Sequence, residues 1–296
     1  MNLLRLKVVL AAIDHDDASL AVLSAARTLA DAGGAALHVV HVTPSRPVME
    51  ILPDNAGDAV TRMLERAGVP LEGAQGHIIA GDPAHAIRML GDRLRADVIV
   101  LGPHRADDTK QRELGGTALA IATASWAPCL IVRRAIRLPL ERVLVPVDLS
   151  DTARGALMVA LSWSSALRAG ADVSKGGLPS AELTAMYVDR SEGSAQRRTV
   201  GTPELDAELD RVRAEAGSWA GVSIERITIA SSDVAAAIAE RADKGRADLI
   251  VLGTRGQGLD PVGRLGSVSE AVIRRVEAPV LLVPPAVWAS FVNEKT

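Results

Sequence analysis

An internal repeat constrains the fold of this chain more than any other feature. KVVLAAIDHDD near the N-terminus has its counterpart in RVLVPVDLSD, and RADVIVLG at 95–102 has its counterpart in RADLIVLG at 246–253. LHVVHV likewise pairs with LTAMYV, and APCLIV pairs with APVLLV, in the same order in both halves. Because the whole order of segments recurs within 296 residues, we predict two similar domains of ordinary size.

Each half alternates short apolar runs with helix-length amphipathic segments. The order is β, α, β, α, β, α, β, α, β, which is typical of an α/β fold with helices on both faces of a doubly wound parallel sheet. Aromatic residues make up only 2% of the chain, so the cores are predicted to consist of Val, Ile, Leu and Ala, as buried parallel strands favour. We predict two five-stranded parallel sheets related by an internal pseudo-two-fold, in domains at 1–136 and 137–296.

The composition argues against several kinds of partner. The formal charge is -3 with intermixed signs, and one Phe and one Tyr leave little surface for base stacking, so no nucleic acid partner is predicted. No apolar run approaches the roughly eighteen residues of a membrane span, so we expect no membrane association and a cytoplasmic location. Cys129 lies in the apolar run PCLIV and is predicted to be an inert core thiol.

A glycine-rich stretch follows the fourth apolar run of the second half. GTRGQGLDPVGRLGS, at 253–267, carries five glycines among fifteen residues and leads into a helical run. Ligands of open parallel sheets bind at the carboxyl ends of the strands, where this loop is expected to lie. Glycines let a ligand approach the main chain, and helix N–H groups with the hydroxyls of Ser267 and Ser269 can receive phosphate oxygens. Glycine content alone leaves a phosphate site and a plain surface loop open.

The glycine spacing, G-x2-G-x9-G-S, resembles the motif of ATP-binding universal stress proteins, and the chain resembles a tandem member of that family. An aspartate after the first strand, GDPAHAI and ADLIVLG add to the resemblance, which covers both halves. It implies strand order 3-2-1-4-5 and an adenine nucleotide (ATP, ADP or AMP, with or without Mg²⁺) across the first, second and fourth strands of the second half. The main chain near Tyr187 would border the adenine, and Arg255 either adds charge or is a solvated loop residue. The implied nucleotide-binding residues are Val147, Asp148, Val188, Gly253, Gly256, Gly266, Ser267, Val268 and Ser269.

The corresponding loop of the first half, GPHRADDTKQRELGGT, departs from the motif. Arg105 stands where the second glycine is expected, and the interval to Gly116 is one residue longer. A long side chain would occupy space that the motif leaves as bare backbone, and Asp107 and Asp108 bring negative charge near the phosphates. We therefore expect that this half has lost the family's nucleotide site. The residues of this degenerate second site are Asp14, Gly102, Gly116 and Thr117.

All six histidines lie in the first half. His15, His41 and His104 follow or end its first, second and fourth strands, and with Asp14 they could form a metal site or a pH-sensitive anion site. The alternative is three separate, partly exposed histidines around a degenerate crevice. We favour this alternative and predict no metal site.

The resemblance implies a stress-response or regulatory protein in which ATP occupancy biases conformation or the binding of an unidentified protein partner. No nucleophile and base stand together near the glycines, so no fast catalysis is indicated; slow ATP hydrolysis with Glu270 as the base is one alternative. Another is a nucleotide-free scaffold whose repeats pair through their fifth strands, as the subunits of a homodimer do. Further pairing of chains into a homodimer stays open, and a redox enzyme of similar topology ranks last because no residue set supports it.

Overall fold

The computed structural model describes residues 6–14, 17–43, 61–62, 64–66, 68, 73–102, 114–167, 180–190, 203–216, 221–256 and 264–293. Strands and helices alternate along these ranges, with short helical stretches also at 61–62 and 64–66. The first half contains β1 (Val8–Ile13), α1 (Ala18–Gly33), β2 (Ala36–Thr43), β3 (Ala74–Ala80), α2 (Pro83–Leu94), β4 (Val98–Leu101), α3 (Gly116–Ala124) and β5 (Cys129–Ile131). The second half contains β6 (Arg142–Val147), α4 (Asp151–Ala166), β7 (Ala181–Asp189), α5 (Pro203–Ala216), β8 (Val222–Ala230), α6 (Val234–Lys244), β9 (Leu249–Gly253), α7 (Ser267–Arg275), β10 (Val280–Val283) and α8 (Pro285–Asn293).

These strands form one sheet in the order β3-β2-β1-β4-β5-β10-β9-β6-β7-β8. Within each half, neighbouring strands are parallel. The predicted α/β class with a parallel-dominated sheet is confirmed. The two expected sheets are nevertheless joined into one, because β5 and β10 pair antiparallel with Cys129 opposite Leu282. Pairing of these two strands satisfies backbone groups that a sheet edge would otherwise leave exposed.

The antiparallel seam between β5 and β10 sets the two halves in opposite directions. The carboxyl ends of the strands therefore lie at one edge of the sheet in the first half and at the opposite edge in the second. Cys129 is buried at this seam, as predicted, and its burial raises the pKa of the thiol to about 12. The thiolate needed for reactivity is therefore scarce at neutral pH.

Helices cover both faces of the sheet because the strand residues are apolar on both sides. Successive side chains of a strand point to opposite faces; on β1, Val9 and Ala11 belong to the core cluster that includes residues of α1, α4, α5 and α8, and Leu10 belongs to the cluster that includes residues of α2, α3, α6 and α7. Trp163 of α4 is among the largest fully buried side chains. Within the described ranges, no helix is long and apolar enough to cross a membrane.

Candidate functional site

A cavity of about 490 Å³ opens at the carboxyl ends of β6, β7 and β9. Its volume lies in the range of small-molecule sites. The structure brings together here the three chain segments that the sequence assigned to a nucleotide, and Tyr187 and Arg255 also line the cavity. The predicted residues on its wall are Val147, Asp148, Val188, Gly253, Gly256, Gly266, Ser267, Val268 and Ser269.

Further residues of the cavity wall were missed by the sequence analysis. Asp189 and Arg190 lie at the end of β7 and could have been found, because residues at that end of a strand face the same edge as the glycine loop. Val234 and Ile238 stand four residues apart on one face of α6. From the sequence alone, this spacing indicates a helix side that faces the core, so it did not indicate a cavity. The additional lining residues are Pro146, Ala153, Met186, Asp189, Arg190, Val234, Ile238 and Leu252.

The N-terminus of α7 presents uncapped N–H groups at this cavity. Gly266 precedes the helix with φ -58 and ψ 138 and offers no side chain to cap it. Its own N–H donates to the carbonyl of Thr254 at 2.8 Å, which fixes the turn into the helix. The first N–H groups of a helix lack intrahelical acceptors and carry partial positive charge. Because Ser267 is exposed at the first helical position, an anion can reach these groups from the cavity.

Ser269 holds the glycine loop together. Its hydroxyl donates to the carbonyl of Gly253 at 2.8 Å, and the residue is buried. The sequence analysis expected this hydroxyl to receive a phosphate oxygen. In the structure its proton ties the start of α7 to the end of β9, so the side chain shapes the loop that borders the cavity.

Two glycines of the motif leave room for neighbouring protein atoms, in addition to any room they leave for a ligand. A Cβ at Gly253 would lie 2.7 Å from Cγ2 of Thr152 and 3.1 Å from the carbonyl oxygen of Arg255. A Cβ at Gly256 would lie 2.5 Å from Oδ2 of Asp148. The distances to Thr152 and to Asp148 are shorter than real Cβ atoms show, so a side chain at Gly253 would displace Thr152 or the loop, and one at Gly256 would displace the carboxylate of Asp148.

Asp148 is oriented by the turn that leads from β6 into α4. Its Oδ1 accepts hydrogen bonds from the backbone N–H of Ser150 at 3.1 Å and from the Ser150 hydroxyl at 2.5 Å. Ser150 in turn caps α4 by accepting from the N–H of Ala153 at 3.2 Å. Leu149 between them adopts φ 64, a left-handed conformation that disfavours a side-chain-bearing residue by on the order of 1 kcal/mol. These bonds fix Oδ1 on the turn, with Oδ2 toward Gly256.

The corresponding helix of the first half, α3, also begins without a side-chain cap. Its N-cap is Gly115, with φ -61 and ψ 149. Position 115 is thirteen positions after 102, as 266 is after 253, so the longer interval expected in this half disappears. The sequence analysis took Gly116 as the equivalent of Gly266, whereas the helix start makes the adjacent Gly115 the equivalent. Without the helix start the two glycines cannot be distinguished. These starts pair Gly115 with Gly266, Gly116 with Ser267, and Thr117 with Val268.

Among the described residues, the surroundings of Gly102 differ from those of Gly253. A Cβ at Gly102 would lie at an ordinary 3.6 Å from Cγ2 of Val22, the described atom nearest to it. The backbone N–H of Asp14 donates to the hydroxyl of Ser19 at 2.9 Å. Arg105, Asp107 and Asp108 lie outside the described residues, so the expected clash and charge at this loop stay predictions.

Two histidines of the suggested crevice group, His15 and His104, also lie outside the described residues. His41 is buried rather than partly exposed, with Nδ1 3.2 Å from the carbonyl oxygen of Ile13. The described part of the chain holds no group of three His, Cys, Asp or Glu side chains that could bind a metal ion. A pairing that the sequence did not suggest joins His38 to His77, with Nδ1 of the first 2.9 Å from Nε2 of the second and the rings stacked.

The model of the universal stress protein family matches residues 5–133 and again residues 139–284. The repeated α/β unit with a nucleotide-sized cavity at its strand ends is thus a known class of domain. The chain belongs to the universal stress protein family, and it is a tandem member with two repeats.

A universal stress protein of Methanocaldococcus jannaschii is 31% identical over 153 residues, which cover 48% of this chain and 81% of that protein. Another, of Thermus aquaticus, is 43% identical over 74 residues, covering 25% of this chain and only about half, 54%, of that relative. A crystal structure of a universal stress protein from Archaeoglobus fulgidus covers 94% of this chain and 98% of its own at 24% identity and a TM-score of 0.67, which shows the shared fold. Universal stress proteins solved with cAMP and with dAMP each match 43% of this chain, with TM-scores of 0.35 and 0.33.

Proposed function

We propose that this protein binds an adenine nucleotide, ATP in the first instance, in the cavity of its second repeat and responds by a change in conformation or partner binding. The observation that carries the proposal is the uncapped N-terminus of α7, which opens into the cavity beside Gly256. Helix N-termini with bare glycine backbone are suited to phosphate groups. The regulatory role is the part of the proposal that the family resemblance implies.

Each part of a nucleotide has a matching surface in the cavity. The phosphates would meet the N–H groups of 267–269, with the guanidinium of Arg255 on the same wall. The base would lie against apolar side chains such as Met186 and Ile238, near the main chain of Val188. The fixed carboxylate of Asp148 is an acceptor for a ribose hydroxyl.

The cavity wall also suits a magnesium ion that accompanies ATP. Asp148 and Asp189 both line the cavity, and Mg²⁺ is usually held by one or two carboxylates together with substrate phosphates and water. The ion would offset phosphate charge at a wall that carries these two acids.

Slow hydrolysis with Glu270 as the base receives no support from the geometry. The carboxylate of Glu270 accepts a hydrogen bond from Arg274 one turn along α7, and Glu270 is not among the residues that line the cavity. We expect ATP turnover, if measured, to be unchanged by Glu270→Gln. The scaffold alternative requires only the β5–β10 seam and predicts no bound nucleotide.

The proposal is tested by purifying the protein without added ligand, denaturing it, and quantifying the released adenine nucleotide per chain by chromatography and mass spectrometry. A calorimetric titration with ATP and magnesium accompanies this measurement. We expect one site per chain. No released nucleotide together with no binding would remove the proposal and leave the scaffold; two sites per chain would contradict the asymmetry of the repeats.

A matched pair of variants locates the site. Ser267→Glu and Gly116→Glu each place a carboxylate at the exposed first position of a nine-residue helix. Acidic residues are favourable at helix N-termini, so both variants are expected to fold. Ser267→Glu should abolish nucleotide binding by charge repulsion of the phosphates, whereas Gly116→Glu should leave it unchanged. The reverse result would place the site in the first repeat.

A further inference from the structure

Helix α8 lies beyond the second family match, which ends at residue 284. It packs on the outer side of α4, and Val287 is buried within the core cluster. Proline 285 is exposed, and Trp288 is only half-buried. An isolated helix of nine residues is not stable in water, so α8 depends on this docking.

The docking contact is built around Trp288. Its ring lies beneath the guanidinium of Arg154, with 4.8 Å between the guanidinium carbon and the ring centroid. A Cβ at Gly155 would lie 3.3 Å from Cβ and 3.5 Å from the backbone nitrogen of Trp288. Glycine inside a helix is unfavourable, and here its missing side chain is what lets the backbone of α8 approach α4.

Arg154 is held firmly for this contact. Its guanidinium donates to both carboxylate oxygens of Glu208 on α5, and Nη1 lies 2.7 Å from Oδ1 of Asp151. Glu208 is 4% exposed. Its hydrogen bonds raise the pKa of Arg154, so the cation that faces Trp288 persists at any ordinary pH.

The same turn of α4 forms part of the cavity wall. Thr152 occupies the space that a side chain at Gly253 would fill, and Ala153 lines the cavity. Ser150, which caps the helix, binds the carboxylate of Asp148. Consecutive residues of one helical turn therefore contact the candidate ligand site on one side and α8 on the other.

We propose that α8 is a latch whose docking on α4 and ligand occupancy of the cavity reinforce each other. This inference rests on the nucleotide site proposed above. A docked α8 holds the first turn of α4 where Asp148 and Gly253 need it, so the cavity is preorganised for its ligand. Because coupling between two binding events is reciprocal, ligand in the cavity must also strengthen the docking of α8.

The test compares ATP affinity, by calorimetry on the full chain with magnesium, among the wild type and three variants. Trp288→Ala removes the docking side chain, and Gly155→Ala obstructs it while raising the helix propensity of α4. Both should weaken ATP binding by about fivefold or more, the usual lower range of such coupling. Trp126→Ala, which removes an exposed tryptophan of the first repeat, should leave the affinity unchanged.

Hydrogen exchange of the 286–293 amides, with and without ATP, supplies the reciprocal measurement. The latch predicts that ATP slows the exchange of these amides in the wild type. In Trp288→Ala the amides should exchange faster than in the wild type, and ATP should not slow them. If the wild type binds no ATP, the nucleotide proposal itself fails. If it binds ATP with equal affinity in wild type, Trp288→Ala and Gly155→Ala, and exchange of α8 is unaffected, the nucleotide site stands and the latch is overturned.

Discussion

In the second repeat a Cβ at Gly253 would meet Thr152 at 2.7 Å, whereas in the first repeat a Cβ at Gly102 would meet Val22 at 3.6 Å. Gly253 ends the fourth strand of its repeat and Gly102 directly follows the fourth strand of the other, yet among the described residues only Gly253 meets an atom closer than 3 Å. At Gly253 the motif glycine therefore serves the packing of strand, loop and first helix together.

A second contrast concerns what covers the first helix of each repeat. Arg154 stands six residues after Asp148 and forms a buried ion pair with Glu208. Leu20 stands six residues after Asp14 and packs against the apolar core. Arg154 thus links α4 to α5 and α8 through its charge, whereas the corresponding position of α1 is apolar.

The largest effect should come from breaking the buried ion pair. Glu208→Ala leaves the guanidinium of Arg154, whose side chain is 12% exposed, without its main partner, and should lower the free energy of unfolding by about 3 kcal/mol. Urea denaturation measures the change. Leu20→Ala should cost about 1 kcal/mol, and Glu208→Gln should recover part of the loss. A cost at Glu208 no larger than at Leu20 would show that the pair is screened by solvent.

The confined glycine should give the next largest effect. Gly253→Ala should destabilise the protein by about 2 kcal/mol, because the added methyl group overpacks against Thr152 and the carbonyl of Arg255. Gly102→Ala should change stability by less than about 0.5 kcal/mol. The two variants are compared by thermal and urea denaturation. Equal effects would mean that the two loops are packed alike.

A smaller, pH-dependent effect should be confined to the first repeat. Burial lowers the pKa of His38, and burial, His38 and Arg93 together lower the pKa of His77. The unfolded chain therefore binds more protons than the folded one as pH falls below the ordinary histidine value of about 6.5, so the free energy of unfolding decreases with acidification. The stability that these groups contribute is present above that pH and is lost on the acid side.

The second repeat suggests the variant that tests this pH dependence. His38 on β2 lies opposite Gln75 on β3, and Thr184 on β7 lies opposite Glu225 on β8. These are the second and third strands of the two repeats, so His38 and Thr184 occupy corresponding positions. The double variant His38→Thr, His77→Ile, which copies the second repeat, should lose less stability than the wild type between pH 7 and pH 5. Parallel slopes of unfolding free energy against pH would contradict the assignment to this pair.

The smallest effect should come from an exposed ion pair that only the second repeat has. Arg275 of α7 binds the carboxylate of Asp233, the N-cap of α6, at 2.8 Å, and Ala124 holds the corresponding position on α3. Arg275→Gln should leave the thermal midpoint almost unchanged, because exposed pairs contribute little. The hydrogen bond from Arg275 lowers the pKa of Asp233, so an NMR titration should show that pKa rising in the variant. No movement would mean that the pair does not persist in solution.

Much of this architecture could be predicted because it depends on local pattern. Alternating apolar runs and helical periods predicted the order of elements, and the repeat predicted that it would occur twice. The choice between Gly115 and Gly116 could not be made, since adjacent glycines are indistinguishable until the helix start is known. The contact between Trp288 and Gly155 was also out of reach, because a half-apolar terminal segment does not indicate which surface it will cover.

The candidate site shows the same division between local and distant information. Motif spacing identified glycine-loop residues that line the cavity, but the roles of Ser269 and Gly256 depend on atoms far away in sequence. Ser269 donates to Gly253, and Gly256 makes room for the carboxylate of Asp148. Sequence spacing identifies which residues meet, and only the folded geometry shows which of them must be small and which must donate.

The antiparallel seam between β5 and β10 has a consequence for how such a protein can change over time. A symmetric dimer of single repeats carries every substitution twice, so a change that improves one crevice is imposed on the other. Joining the two units in one polypeptide, with their crevices at opposite edges of the sheet, removes that constraint. One repeat can retain its ligand while the other accumulates substitutions, provided that β5 and β10 continue to pair at the seam.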